Sequence, residues 1–250
     1  LDVIRTAEEI IELLVPRYAD FASIDLLDWV LGAEERPGVL EEDVVLRRVA
    51  HGSVTEGTPE AAVHIGAADI HPAFSPPAKA LHAGRAVFSQ AGEPDFVRWV
   101  AERNARAPAG SPHRRGVHSM LAVPLRARGT TLGVVVGVRI ANPDDYGEDD
   151  AILGEELASR AAVCIDNARR FARERNTALV LQHSLLPRGL PGQAAVEVAH
   201  RYLPSGSLAG LGGDWFDVIP LSGSRVALVV GDVVGHGITS SATMGRLCTA

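Results

Sequence analysis

From Glu148 to Ser184 the residue pattern is helical almost without interruption. Gly154 is the one residue inside that disfavours a helix, and Pro187 ends it. At 1.5 Å per residue such a helix extends about 54 Å. It divides the chain into a domain over residues 1–170 that includes the start of the helix, a helical linker over 171–190, and a second domain over 191–250. Positions Leu157, Ala161, Cys164, Ala168, Phe171, Arg175, Ala178, Gln182 and Leu185 step by four and three, a heptad seam with two polar interruptions. Two readings stay open. The seam pairs with a second copy as a coiled coil and makes a homodimer, or the first half packs on its own domain and the second, with Arg169, Arg170, Arg173, Glu174 and Arg175, is a solvated linker.

Ahead of this helix, Val3, Ile4, Ala7, Ile10, Ile11 and Leu14 share one helical face that ends near Pro16. Ala22–Val30 and Val44–Ala50 read as strands, and His51–Pro77, dense in Gly, Pro, Ala and His, as irregular chain. A short helix over Ala78–Gly84, a short strand over Ala86–Phe88 and a helix within Phe96–Asn104 follow. Met120–Arg126 and Thr131–Ile140 form two strands about the turn Ala127–Thr130. This order predicts an α+β domain with an antiparallel sheet flanked by helices. The strand His118-Ser119-Met120-Leu121-Ala122-Val123-Pro124-Leu125, the Gly133-Val134 strand after its turn, and Tyr146-Gly147-Glu148-Asp149-Asp150 leading into the long helix resemble a GAF sensor domain over about residues 1–170. The resemblance implies either a pocket for a small molecule or an empty body that serves dimer signalling.

Beyond Pro187, Val196–Leu203 alternates as a strand, and two apolar runs flank Ser222-Gly223-Ser224 as a hairpin. A loop centred on Gly223 pairs residues whose numbers sum to 446, and 214 + 232 = 446. A two-residue Gly-Ser turn sets Asp214 across from Val233 instead. Either register brings Asp214 and Asp232 within ~5–8 Å. Two carboxylates that close repel unless one is protonated or a cation lies between them. An all-oxygen site suits Mg²⁺ or Mn²⁺. A helix starts at Thr239. Asp217 falls on the opposite face of the strand from Asp214 and reads as a structural acceptor.

Gly212-Gly213-Asp214-Trp215-Phe216-Asp217, Gly231-Asp232-Val233-Val234-Gly235-His236-Gly237 and the lead-in Leu181-Gln182-His183-Ser184-Leu185-Leu186-Pro187 resemble the SpoIIE-type branch of the metal-dependent (PPM) protein phosphatases. The resemblance covers roughly residues 178–250. It implies the first β-hairpin and helix of an α/β/β/α sandwich, with Asp214, Asp232 and the backbone carbonyl of Val233 at a centre of two Mn²⁺ or Mg²⁺ ions. Asp214 and Asp232 are then the catalytic residues of a phosphoserine/phosphothreonine phosphatase. Its implied substrate is a phosphorylated regulatory protein, an anti-sigma-factor antagonist, in the bacterial cytoplasm. The family's further metal carboxylates lie downstream of Ala250, so these 250 residues are expected to be catalytically silent. The family's motif histidine sits at another offset, and His236 is read as structural. The rival likeness of Gly212–Phe216 to a diguanylate cyclase signature lacks its acidic residue at Trp215.

The totals narrow the partners. A net charge of −7 argues against a broad nucleic-acid surface. Cys164 and Cys248, without paired spacing, predict neither a disulfide nor a zinc site and fit a reducing cytoplasm. The most apolar window, Leu121–Ile140, contains Arg126, Arg128 and Arg139 and is no membrane span. His64, His71 and His82 lack metal-ligand spacing and read as surface or pocket-lining residues.

Overall fold

Residues 2–32, 40–106, 116–185, 197–201, 214–223, 225–235 and 238–248 are described by the computed structural model. The chain divides into two units, Leu1–Arg170 and Phe171–Ala250.

In the first unit, α1 (Val3–Leu14) begins where the Asp2 carboxylate accepts the Ile4 N–H at 2.9 Å, a side-chain N-cap. Its buried residues Val3, Ala7, Ile11 and Leu14 follow the 3.6-residue period. Strand β1 (Phe21–Leu26) is buried along its whole length. The polypeptide then turns into a short helix, α2 (Asp28–Leu31), so the single strand expected over Ala22–Val30 is corrected to strand plus helix. Strand β2 (Val44–Ser53) outruns its expected end, and β3 (Ala68–His71) lies in the segment read as irregular. Helix α3 (Pro76–Ala83), β4 (Val87–Gln90) and α4 (Pro94–Arg106) lead to the long strands β5 (Ser119–Ala127) and β6 (Thr130–Arg139). The sheet runs β3-β2-β1-β6-β5-β4, every pair antiparallel.

Alternation along the strands gives the sheet two apolar faces. Ala22, Ile24 and Leu26 of β1 meet residues of α1 together with Ala158, Ala162 and Ile165 of α5 (Glu148–Leu185). Phe21 of β1, Val44 and Leu46 of β2, and Val134, Val136 and Val138 of β6 meet α3 and α4 on the other face. Ala161 and Ala168, assigned to the coiled-coil seam, are 6% and 0% exposed and lie in the first of these cores. Those two seam positions are therefore corrected. Their small side chains let α5 lie close against its own sheet and offer nothing to a second helix.

Gly154 is another contact point of α5. A β-carbon there would stand 2.7 Å from the Tyr18 Oη and 3.1 and 3.2 Å from Leu121 and Val123. Gly154→Ala should gain about 1 kcal/mol in helix propensity but lose about 1–3 kcal/mol through overpacking. The expected result is a net drop in melting temperature, and a rise would show that α5 can shift outward without cost.

In the second unit, β7 (Trp215–Pro220) and β8 (Val226–Gly231) form a hairpin, followed by α6 (Ile238–Cys248). Trp215 pairs with Gly231, the register that sums to 446. Residues 197–201, read as part of a strand, have no regular secondary structure. Gly212, Gly213, His236, Gly237 and the 186–196 segment lie outside the described residues. Among the described residues no helix is long and apolar enough to cross a membrane.

Candidate functional site

The polar centre of the first unit begins with a break in strand pairing. Ile24 faces Ala50 and Asp25 faces Arg48, so Val49 is the extra residue of a β-bulge. A bulge re-aims the side chains beside it. Here it places Arg48 on the same face as Ser23 and Asp25. Arg48 donates through Nε to Asp25 Oδ1 and through Nη2 to Oδ2 at 3.2 Å, while the Ser23 hydroxyl donates to Oδ2 at 3.0 Å.

A second ion pair stands nearby. Strand β3 alternates with reversed polarity: Asp69 and His71 point inward and Ile70 is 53% exposed. On α4, Trp99 and Arg103 sit one turn apart, and the Arg103 guanidinium lies over the Trp99 ring at 4.9 Å. Arg103 Nη2 pairs with Asp69 Oδ2, and His71 Nε2 is 3.6 Å from the same oxygen. Ser23, Asp25, Arg48, Glu60, His71, Trp99 and Arg103, with Phe21, Val136 and Val138, surround a cavity of about 30 Å³.

The charges are buried almost completely yet balance, two arginines against two aspartates. Burial pushes the Asp25 carboxyl up, but the charge and hydrogen bonds of Arg48 outweigh it and hold the group below the usual carboxylate range. Burial, reinforced by the positive charge of Arg103, pushes His71 down to about 4 despite Asp25 and Asp69. His71 is therefore neutral near pH 7. Arg103 is lowered chiefly by burial, with Asp69 opposing.

Several polar atoms here have no hydrogen-bond partner: Arg48 Nη1, Trp99 Nε1, and both His71 ring nitrogens. A buried polar atom left unsatisfied costs about 1–3 kcal/mol, and such atoms are rare in native proteins. Both carboxylates are committed to arginines. The arrangement suits binding through donors placed in advance.

Sequence reading singled out only His71 of this group, as a surface or pocket-lining residue. Asp25 inside an apolar strand was the available signal for the rest. Of the other histidines, His64 and His82 are exposed. His118 Nε2 donates to Asn142 O at 2.7 Å and its Nδ1 lies 2.6 Å from Asp145 Oδ1, contacts that fasten the β6–α5 connection.

In the second unit, Asp214 and Asp232 flank the paired strands at the same hairpin end. Both are exposed, and the hydrogen bond from Asp232 pushes the Asp214 carboxyl up. Two carboxyls in contact form an oxygen donor set that fits a hard cation. Val233 is half-buried beside them, and Gly235 has φ 105°. Asp217 Oδ1 accepts the Val218 N–H at 2.7 Å, a local contact. A groove of about 370 Å³ passes Asp214, lined also by His200, Phe216 and Leu228. Among the described residues no three His, Cys, Asp or Glu side chains group as metal ligands.

The GAF domain family matches residues 2–166. Among solved structures, the chain is similar to the GAF domain/HD domain protein from Geobacter sulfurreducens, at 14% identity over 68% of this chain and 94% of that one (TM-score 0.45). It is similar also to the GAF-B domain of DevS from Mycobacterium smegmatis, at 16% identity over 69% and 98% (TM-score 0.45). A third is free methionine-R-sulfoxide reductase from Neisseria meningitidis in complex with its substrate, at 16% identity over 68% and 81% (TM-score 0.44).

Proposed function

Because the chain belongs to the GAF domain family, we propose that it is a signalling module in which residues 1–170 bind a small molecule and α5 carries the bound state toward residues 171–250. The observation that carries this reading is the set of buried donors around the cavity that no protein group satisfies. A ligand that accepts their hydrogen bonds would offset a desolvation cost the fold has already incurred. The inner half of α5 lies in the domain core, on the sheet face opposite the cavity, so a shift of β1 on binding reaches the helix directly. Native mass spectrometry of the purified chain is expected to show a retained small molecule, or a metabolite panel to raise its melting temperature. A chain that carries no added mass and responds to nothing in the panel would overturn the reading.

A second reading concerns residues 178–250 and is favoured by the contact between Asp214 and Asp232. It supports the start of a metal-dependent phosphoserine/phosphothreonine protein phosphatase, acting on an anti-sigma-factor antagonist in the bacterial cytoplasm, with the chain as a homodimer. The two carboxylates and the Val233 carbonyl would hold Mn²⁺ or Mg²⁺. When bound, a pair of such ions supplies a water-derived nucleophile and neutralises charge on the phosphoryl oxygens. Hard divalent ions take about six oxygens, so the 250 residues alone are proposed to be silent in hydrolysis. In a chain that carries the whole domain, Asp232→Asn should weaken Mn²⁺ binding and cut turnover by orders of magnitude. Unchanged Mn²⁺ affinity would remove Asp232 from the site.

A further inference from the structure

We infer that the ligand of the buried cavity is a short-chain monocarboxylate, its carboxylate held by Arg48, His71 and Trp99 and its alkyl end against Phe21, Val136 and Val138. The inference rests on the reading of residues 1–170 as a ligand-binding domain. The unsatisfied atoms set the chemistry. Arg48 Nη1 and Trp99 Nε1 can only donate, and one of the two His71 nitrogens donates in either tautomer. Residues of β2, β3 and α4 that line one cavity thus bring three donors to it. What enters must present acceptors.

Size and wall composition narrow the class. A cavity of about 30 Å³ admits roughly two waters, or a compact group of similar bulk, and excludes a nucleotide or a fused ring. An inorganic oxyanion would fit the donors but leave the apolar wall of Phe21, Val136 and Val138 in contact with charge. Acetate, a carboxylate with a single methyl group, satisfies both ends at that size.

Charge favours the anion over a neutral amide. Hydrogen bonds from a guanidinium to a carboxylate are roughly twice as strong as neutral ones. Uptake of a proton can offset the charge of an arriving anion. Facing His71 are Asp25 of β1, Arg48 of β2, Asp69 of its own strand and Arg103 of α4, two charges of each sign. With Glu60 also on the cavity wall, an added carboxylate deepens a net negative charge and favours protonation of His71; His51, which Arg48 and Asp25 also influence, is the other titratable ring beside the cluster. Carboxylate binding therefore takes up a proton and tightens as pH falls.

The test is calorimetric titration of the whole chain with acetate, propionate and butyrate, against acetamide and inorganic phosphate at matched ionic strength, between about pH 6 and 8. Acetate is expected to bind with proton uptake, read from the dependence of the heat on buffer ionisation, and butyrate, with six heavy atoms, to be excluded. Affinity should rise toward the acid end. Trp99→Phe removes one N–H and keeps the ring, so it should weaken binding about tenfold, while His71→Asn should abolish the proton uptake. Acetamide binding as tightly as acetate would overturn the carboxylate assignment and leave the ligand-sensor reading standing. Carboxylate binding without proton uptake and indifferent to Trp99→Phe would place the site elsewhere and overturn it too. No binding by any compound, together with no retained mass in the native spectrum, would remove both.

Discussion

Asp25→Ala is expected to lower the unfolding free energy by about 3–5 kcal/mol, the cost of breaking a buried ion pair by removing one partner. Asp25 and Arg48 are 1% and 4% exposed, and the carboxylate accepts two hydrogen bonds from Arg48 and one from Ser23. Alanine leaves the guanidinium charged, dry and beside a second arginine, Arg103. Adding Arg48→Met to the variant should recover part of the loss, because a buried pair replaced by apolar groups of similar volume is often close to neutral. Urea unfolding reads both, as a lower midpoint at unchanged slope. A loss under about 1 kcal/mol for Asp25→Ala would show that water reaches Arg48 and that the cluster is not sealed.

Acid should weaken the fold well above the pH at which carboxylates titrate. His71 has a folded-state pKa of about 4 against an ordinary value near 6.5. Above about pH 6.5 the ring is neutral in both states and costs nothing. Between about 6.5 and 4 the unfolded chain binds a proton that the folded chain refuses, so stability falls as pH falls. Below about 4 both states are protonated and the full penalty, about 3 kcal/mol, is present. His51, lowered by burial and by Arg48, adds in the same direction. Asp25, held below its ordinary value, adds its own loss at still lower pH. His71→Asn should flatten the slope between about pH 6 and 4 measured by urea midpoints. A variant as acid-sensitive as the parent would assign the slope to other groups.

Helices with a regular apolar period were legible in the sequence. Helix α1 and the length of α5 followed from spacing and from where proline stands. The β7–β8 register followed from arithmetic about Gly223, and with it the meeting of Asp214 and Asp232. Strand β3 was not legible. Its inward residues are Asp69 and His71 and its outward residue is Ile70, the reverse of the polarity by which a half-buried strand is ordinarily recognised. The strand exists because it pairs with β2 over four residues and because Arg103, 34 positions on by number (103 − 69), supplies the countercharge. Nothing local announces that partner. The seam failed at Ala161 and Ala168 for a related reason. A period of seven places residues on one stripe of a helix but does not say whether a sheet of the same domain or another helix faces it.

The pocket's charges come in two couples drawn from four separate elements, Asp25 with Arg48 and Asp69 with Arg103. Any descendant of this chain that alters one member alone inherits an uncompensated buried charge. Its route to a new ligand runs through an unstable intermediate unless the partner changes at nearly the same time. Trp99, Ser23 and the valines of β6 carry no such obligation. Drift in what the domain senses is therefore freest along the apolar wall and at the indole, where single replacements are tolerable, while the couples persist or are exchanged together.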